Sequence, residues 1–276
     1  MQQKYQPIGV FDSGYGGLTI LKSIVDRLPQ YDYIYLGDNA RTPYGSRSYD
    51  VVYEYTRQAV MKLFSMGCQL VILACNTASA KALRTIQQHD LPGFDPSRRV
   101  LGVIRPSLEK IPMLTGTGHI GVLGTTGTVL SQSYPLEMAK ISGDRLIVTQ
   151  QACPMWVPLV ENDETNNPAA DYFVQKNIGQ LFRQDPEIDT LILGCTHYPL
   201  LLPSIRKFLP ENVILVEQGP IVAESLTDYL IRHPEMDRKC SKGGSRQFLT
   251  TESAENFEPR ASLFLGYSLN AEKITL

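Results

Sequence analysis

Leu70-Val-Ile-Leu-Ala-Cys75-Asn-Thr77 and Leu191-Ile-Leu-Gly-Cys195-Thr196-His197 repeat one pattern 120 residues apart: an apolar run, a small residue, a cysteine, then polar side chains. Runs of leucine and β-branched residues read as strands buried on both faces, the signature of a parallel sheet, and in open α/β sheets ligands bind beyond the carboxyl ends of such strands. Both thiols therefore fall where chemistry happens. If each belongs to its own half of the molecule, two cysteines face one another across a cleft. That arrangement suits a reaction needing two matched bases.

Outward from these phrases the chain keeps the same habit. Residues 8–11 make a short apolar strand that ends in Asp12-Ser-Gly-Tyr-Gly-Gly17, after which Leu18, Leu21, Ile24, Val25 and Leu28 recur at helical spacing. Residues 33–36 give a second strand, followed by a loop through Pro43-Tyr44-Gly45 and a helix over about 49–66. Pro92-Gly93 and Asp95-Pro96 mark a break before a strand at 100–104. The pattern then restarts: Ile120-Gly-Val-Leu-Gly-Thr-Thr-Gly127 echoes Ile8-Gly-Val-Phe-Asp-Ser-Gly14 at an offset of 112. Two ordered pairs of motifs at nearly one offset predict a duplication, although short apolar strands resemble one another by chance. Strands at 146–150 and 213–216, helices at 171–184 and 220–232, and a polar stretch at 237–246 complete the chain. The fold class expected is α/β: two pseudo-symmetric domains with parallel-rich sheets flanked by helices. Residues 1–98 with part of 210–276 form the first domain, and residues 99–209 the second.

Composition narrows the function. A chain of 276 residues with 43% hydrophobic and 20% charged side chains is long enough for two buried cores and needs no disorder. Net charge is −2, which argues against a nucleic acid or anionic membrane partner and for a small molecule. No apolar run approaches the roughly 20 residues of a membrane span, and the opening Met1-Gln-Gln-Lys-Tyr-Gln-Pro7 has no leader character. A cytoplasmic protein is expected, its five cysteines kept as thiols. Neither CxxC nor HxxxH spacing occurs, so no metal site is expected.

Free cysteine usually behaves as a small buried hydrophobe, and Cys68 and Cys153 fit that description. Cys75 and Cys195 do not, because polar residues unsuited to a sealed core follow each of them. A thiol with a reference pKa of about 8.5 needs help to ionise. Asp12, Glu161 and His197 are the candidate helpers. A carboxylate raises a neighbouring cysteine pKa unless it is protonated or acts through hydrogen bonds, whereas an imidazolium lowers it. The bland alternative for Asp12 is a helix N-cap; for Glu161 and His197 it is a solvated or satisfied polar residue. The glycines of residues 12–17 admit an anion to backbone N–H groups, but without GxGxxG or a P-loop lysine, nucleotide phosphate is a weak fit and a substrate carboxylate fits as well. Pro43-Tyr44-Gly45 and Gly124-Thr-Thr-Gly-Thr128 add donors at the rim, or are simply turns. Trp156 reads as core, and His89, His119 and His233 show no partner spacing.

Taken in order, the motifs resemble those of the glutamate racemase family, within the cofactor-independent aspartate/glutamate racemase superfamily. The resemblance rests on Gly9-Val-Phe-Asp12-Ser13-Gly-Tyr-Gly-Gly-Leu, Pro43-Tyr44-Gly45, Cys75-Asn76-Thr77-Ala-Ser, Gly102-Val-Ile, Gly124-Thr125-Thr-Gly-Thr128, Ala152-Cys-Pro-Met-Trp-Val-Pro-Leu-Val-Glu161 and Leu193-Gly-Cys195-Thr196-His197-Tyr-Pro-Leu. It implies an isomerase with the active site in the interdomain cleft, working without pyridoxal phosphate or metal and supplying D-glutamate for peptidoglycan. Cys75 and Cys195 become the two acid/base residues, with Asp12 assisting Cys75, and Glu161 with His197 assisting Cys195. Asp12, Ser13, Asn76, Thr77 and Thr196 hold the amino and carboxylate groups of L- or D-glutamate; Pro43, Tyr44, Gly45, Thr125, Thr128 and His197 complete the pocket. Family analogy alone adds a homodimer and a cell-wall-precursor effector.

The chain departs from the family's usual spelling at Arg105, at Met155-Trp156 and at Glu217-Gln-Gly-Pro220. None of these is a named catalytic residue. Three rival functions remain on the sequence: aspartate racemase, a single-nucleophile cysteine hydrolase with His197 as base, and a non-catalytic amino-acid binding module.

Overall fold

The structure, a computed structural model, describes residues 5–276, so Met1–Lys4 of the opening segment lie outside the described residues. Its strands are β1 (Ile8–Asp12), β2 (Tyr33–Gly37), β3 (Leu70–Leu73), β4 (Arg99–Gly102), β5 (His119–Gly124), β6 (Ile147–Ala152), β7 (Thr190–Gly194), β8 (Ile214–Val216), β9 (Arg246–Thr250) and β10 (Ala271–Lys273). They form two sheets in the orders β10-β9-β2-β1-β3-β4 and β6-β5-β7-β8, every neighbouring pair parallel. The fold is α/β with helices on both sheets. β2-β1-β3-β4 and β6-β5-β7-β8 share one connectivity, so the repeat seen in the motifs is also a repeat of topology.

Burial explains why the strand stretches are continuous apolar runs. Every residue of β1, β2, β3 and β7 is buried, as expected of parallel strands covered on both faces. The helix α1 (Gly17–Arg27) buries Leu18, Leu21, Ile24 and Val25, the stripe its periodicity predicts. α2 (Tyr49–Ser65) starts at Ser48, whose Oγ accepts from the Val51 N–H at 3.5 Å. The helix Pro168–Gln184 begins three residues earlier than expected, because Asn167 Oδ1 caps it by accepting from the Ala170 N–H at 3.0 Å and proline fits its first turn. Trp156 is fully buried, edge-on to Tyr198 at 4.7 Å, and its indole N–H donates to Asn177 Oδ1 at 3.0 Å. None of the described helices is long and apolar enough to cross a membrane.

Three details differ from the sequence-based expectation. The strand expected at 100–104 is shifted: β4 ends at Gly102, because Ile104 already opens the helix Ile104–Lys110. β4 pairs with β3 and so belongs to the first sheet although it follows residue 98, while β8, beyond residue 209, pairs with β7 in the second. The tail is not a closing polar stretch. β9 lies against β2 and β10 against β9, with the helix Ala254–Leu265 between them, so the first sheet is finished by the end of the chain. β9 has only two strongly apolar residues; its partner makes it a strand, helped by Asp32, whose Oδ1 accepts from the Ser245 N–H at 2.8 Å and the Ser245 hydroxyl at 2.6 Å.

Candidate active site

The register brings the two cysteine loops to comparable edges. Phe11 pairs with Leu73, so Asp12 and Cys75 leave the first sheet side by side; Gly124 pairs with Gly194, so the Thr125 loop and Cys195 leave the second together. Both thiols line one cleft of about 640 Å³ including its open mouth. Ser13, Pro43, Tyr44, Gly45, Asn76, Thr77, Thr125, Thr196 and His197 line it with them.

Cys75 caps α3 (Asn76–Lys81): its sulfur accepts from the Ala78 N–H at 3.4 Å and lies 3.4 Å from Ser13 Oγ. Burial pushes this thiol up to about 12, and the nearby Asp12 charge adds to the rise, against the lowering effect of the Ser13 and Ala78 hydrogen bonds. Asp12 is itself buried, and that burial raises its carboxyl pKa even though the His197 charge and the Gly14 and Gly17 N–H groups pull the other way. A carboxyl biased toward its neutral form repels a thiolate less than an ionised one. Asp12 is not a helix cap, for α1 is entered through Gly16; Asp12 Oδ1 accepts from the Gly14 N–H at 2.8 Å and Oδ2 from the Thr196 hydroxyl at 3.4 Å.

Cys195 has different company. His197 Nδ1 is 3.9 Å from its sulfur, and His197 Nε2 is 3.1 Å from Glu161 Oε1. Burial opposes the imidazolium, but the hydrogen bonds and negative charges of Cys195 and Glu161 outweigh it and raise His197 to about 10. The ring also meets Phe264 edge-on at 5.4 Å. Close approach of the two loops requires a glycine at position 16: a Cβ there would lie 2.2 Å from Thr196 Oγ1 and 2.5 Å from His197 Nδ1. One thiol thus sits beside a buried carboxyl and a hydroxyl, the other beside an imidazole–carboxylate pair.

Three sequence-named residues stand behind the cleft wall. Asp12 and Glu161 reach it through Thr196 and His197, and Thr128 is buried in a hydroxyl triangle, 3.3 Å from Thr77 Oγ1 and 3.1 Å from Thr125 Oγ1. Residues absent from the sequence-based set also line the cleft: Thr42, Ser46, Thr126, Pro154 and Val157. Each adjoins a named motif, which is the only signal the sequence carried for them. Cys153, expected as plain core, is buried yet forms part of the wall. His119, expected to have no partner, lies 3.0 Å from Asp185, which is 66 residues away in sequence. Of the three departures, Arg105 is exposed and pairs with Glu109 at 2.9 Å, Met155 is exposed, and Gln218 is buried beside Asn76.

Comparison with known proteins agrees with this geometry. A model of the Asp/Glu/Hydantoin racemase family matches residues 8–225. A glutamate racemase of Roseobacter denitrificans is 41% identical, over 94% of this chain and 96% of its own. The crystal structure of the RacE1 glutamate racemase isoform of Bacillus anthracis superposes with a TM-score of 0.89 at 35% identity, covering 99% of this chain and 98% of that one. A Francisella tularensis glutamate racemase solved in complex with D-glutamate gives a TM-score of 0.86 at 29% identity, covering 98% of this chain and 97% of that one. With two parallel sheets of one connectivity, a thiol at the carboxyl edge of each, and relatives of nearly full length, the chain belongs to the Asp/Glu/hydantoin racemase family, among its glutamate racemases.

Proposed function

We infer that the chain is an isomerase that interconverts L- and D-glutamate, with Cys75 and Cys195 as its two bases. The observation that carries this reading is the pair of thiols on separate sheets lining one cleft. A thiolate on one face of the substrate removes the α-proton; the electron pair left on the α-carbon spreads into the adjoining carboxylate; the thiol on the other face gives up its proton to that carbon. The proton taken stays on the first sulfur, so the two cysteines have exchanged states and are ready for the opposite enantiomer. N–H and hydroxyl donors aimed at the carboxylate stabilise the charge that develops there, more strongly in a cleft that excludes water. Ser13, Asn76, Thr77 and Thr196 supply such donors, Asp12 serves Cys75, and Glu161 acts through His197 on Cys195.

The two sheets are taken as the cores of two units, the first completed by the tail from β9 onward, with glutamate between them. The product D-glutamate serves peptidoglycan synthesis in the cytoplasm. A homodimer and regulation by a cell-wall precursor belong to the same reading; sedimentation of the chain, and racemisation rates with and without such a precursor, test them.

The decisive experiment incubates each glutamate enantiomer with the protein in D₂O, following the α-proton by NMR together with optical rotation. Both enantiomers are expected to exchange the α-proton and converge on the racemate. No α-deuterium from either one overturns the assignment, binding without exchange points to a binding module, and faster exchange of aspartate moves the substrate.

A further inference from the structure

Asn76 and Gln218 come from different sheets. Asn76 opens α3 after β3, and Gln218 opens the helix Gln218–Arg232 after β8. Their side chains meet amide to amide, Asn76 Nδ2 donating to Gln218 Oε1 at 2.7 Å. Tyr134, on the helix Ser133–Ser142, closes a ring: its hydroxyl donates to Asn76 Oδ1 at 2.8 Å and accepts from Gln218 Nε2 at 3.2 Å. Each member gives one hydrogen and receives one, and all three are buried, so the ring is a closed polar network of the kind that rigidifies a site.

The direction of the ring is dictated from outside it. Gln218 Nε2 also donates to the Val103 carbonyl at 3.2 Å and to Ser107 Oγ at 2.8 Å. The Val103 carbonyl can only accept, and the Ser107 hydroxyl spends its own hydrogen on that same carbonyl at 2.8 Å. The NH₂ end of Gln218 must therefore face Val103 and Ser107, which turns its oxygen toward Asn76 and forces Asn76 to present its NH₂ end in return. A flipped Asn76 would set oxygen against oxygen. One Nδ2 hydrogen of Asn76 remains uncommitted in these bonds, on a residue that lines the cleft.

We propose that Gln218 is a positioning residue for the substrate: by locking the Asn76 amide from the opposite sheet, it keeps an N–H donor facing the cleft, where it meets a glutamate carboxylate. The proposal rests on the reading of Asn76 as a substrate ligand. Gln218 lies in the segment 217–220 where this chain departs from its family's usual spelling, and it is not among the residues lining the cleft. An amide freed to rotate offers an oxygen as readily as a hydrogen, and an oxygen repels a carboxylate. The loss should fall mainly on binding, which raises KM and leaves kcat comparatively intact.

The test is a double-mutant cycle on the full chain, with Gln218→Met, Asn76→Ala and the double variant, reading KM and kcat for both enantiomers along with thermal unfolding. Gln218→Met is expected to raise KM about tenfold and change kcat by less than about threefold, the scale of one lost hydrogen bond to a charged group. In the Asn76→Ala background the same substitution should have no further effect, a result that a general loosening of the fold would not give. An unchanged KM in Gln218→Met, or effects that multiply in the double variant, overturns the proposal while leaving the role of Asn76 intact. An unchanged KM in Asn76→Ala removes the ligand reading and the proposal together; racemisation is judged separately by exchange in D₂O. Should Gln218→Met not fold, Tyr134→Phe replaces it in the cycle: it must raise KM alone and add nothing to Asn76→Ala, and multiplying effects there overturn the proposal.

Discussion

At the scale of single residues, the chemistry rests on two sulfurs held in unlike states. Cys75 is pushed up to about 12 by burial and by Asp12, so it stays a thiol near neutrality, while His197, raised to about 10, presents a proton beside Cys195. Either Cys75→Ser or Cys195→Ser should lower racemisation by at least about a thousandfold, since a serine hydroxyl is far too weak an acid and base for this exchange. A Cys75→Ser variant that remains active would favour a single-nucleophile enzyme. The two enantiomers have equal free energy in water, so kcat/KM must stay equal in both directions for every variant, and the inequality of the thiols can show only in kcat and KM taken separately. His197 also links stability to pH. Its folded pKa lies above the usual 6.5, so the protonated form is favoured in the fold; the stabilisation is fully present below pH 6.5 and is lost as pH rises through about 10. The urea midpoint should therefore fall between pH 6.5 and 10 in the parent protein and stay flatter in His197→Gln; equal slopes would refute the coupling. Cys75, Cys195 and His197 were legible in sequence because strand ends are legible. Gln218 and Tyr134 were not, because their function lies in contacts 142 and 58 residues from Asn76.

At the scale of elements, loops that join strands to helices carry both the site and much of the order around it. Asp189, just before β7, gathers the turn leading into β5: its carboxylate accepts from the Gly116 and Thr117 N–H groups at 2.6 and 2.7 Å and from the Thr115 hydroxyl at 2.6 Å. These bonds outweigh the cost of burial and hold its carboxyl down at about 2, so the stabilisation is present above the usual 3.8 and lost as pH falls through about 2. Asp189→Asn should cost about 1–2 kcal/mol near neutrality, with the gap to the parent closing in strong acid; a gap independent of pH would assign the loss to shape instead of charge. Long amphipathic elements such as α1 and α2 were read correctly because periodicity is local. β9 and β10 escaped for the converse reason, since a short strand whose residues are mostly polar exists only where a neighbouring strand offers its hydrogen bonds.

At the scale of the molecule, the cleft is closed by small groups from both sheets meeting directly. The Gly127 N–H donates to the Gly45 carbonyl at 2.7 Å, and the Thr77 hydroxyl lies 3.0 Å from that of Thr125. A Cβ at Gly45 would fall 2.8 Å from Thr125 Cβ, part of a β-branched side chain with little freedom to move aside. Gly45→Ala should wedge the loops apart, raising KM about tenfold with a modest loss of thermal stability, because overpacking costs roughly 1–3 kcal/mol. Unchanged KM would show that the cleft tolerates a wider setting.

The sequence by itself determined the layers, the parallel sense of the strands, the duplication and the two thiols at strand ends, because each follows from short-range pattern: runs, periods and turn residues within about a dozen positions. Tertiary structure decided what each thiol leans on, which sheet received β4, β8 and the tail, and which way the Asn76 amide faces. Those depend on groups far apart in the chain meeting in a low-dielectric cleft, where burial and a single hydrogen-bond partner set both charge and orientation.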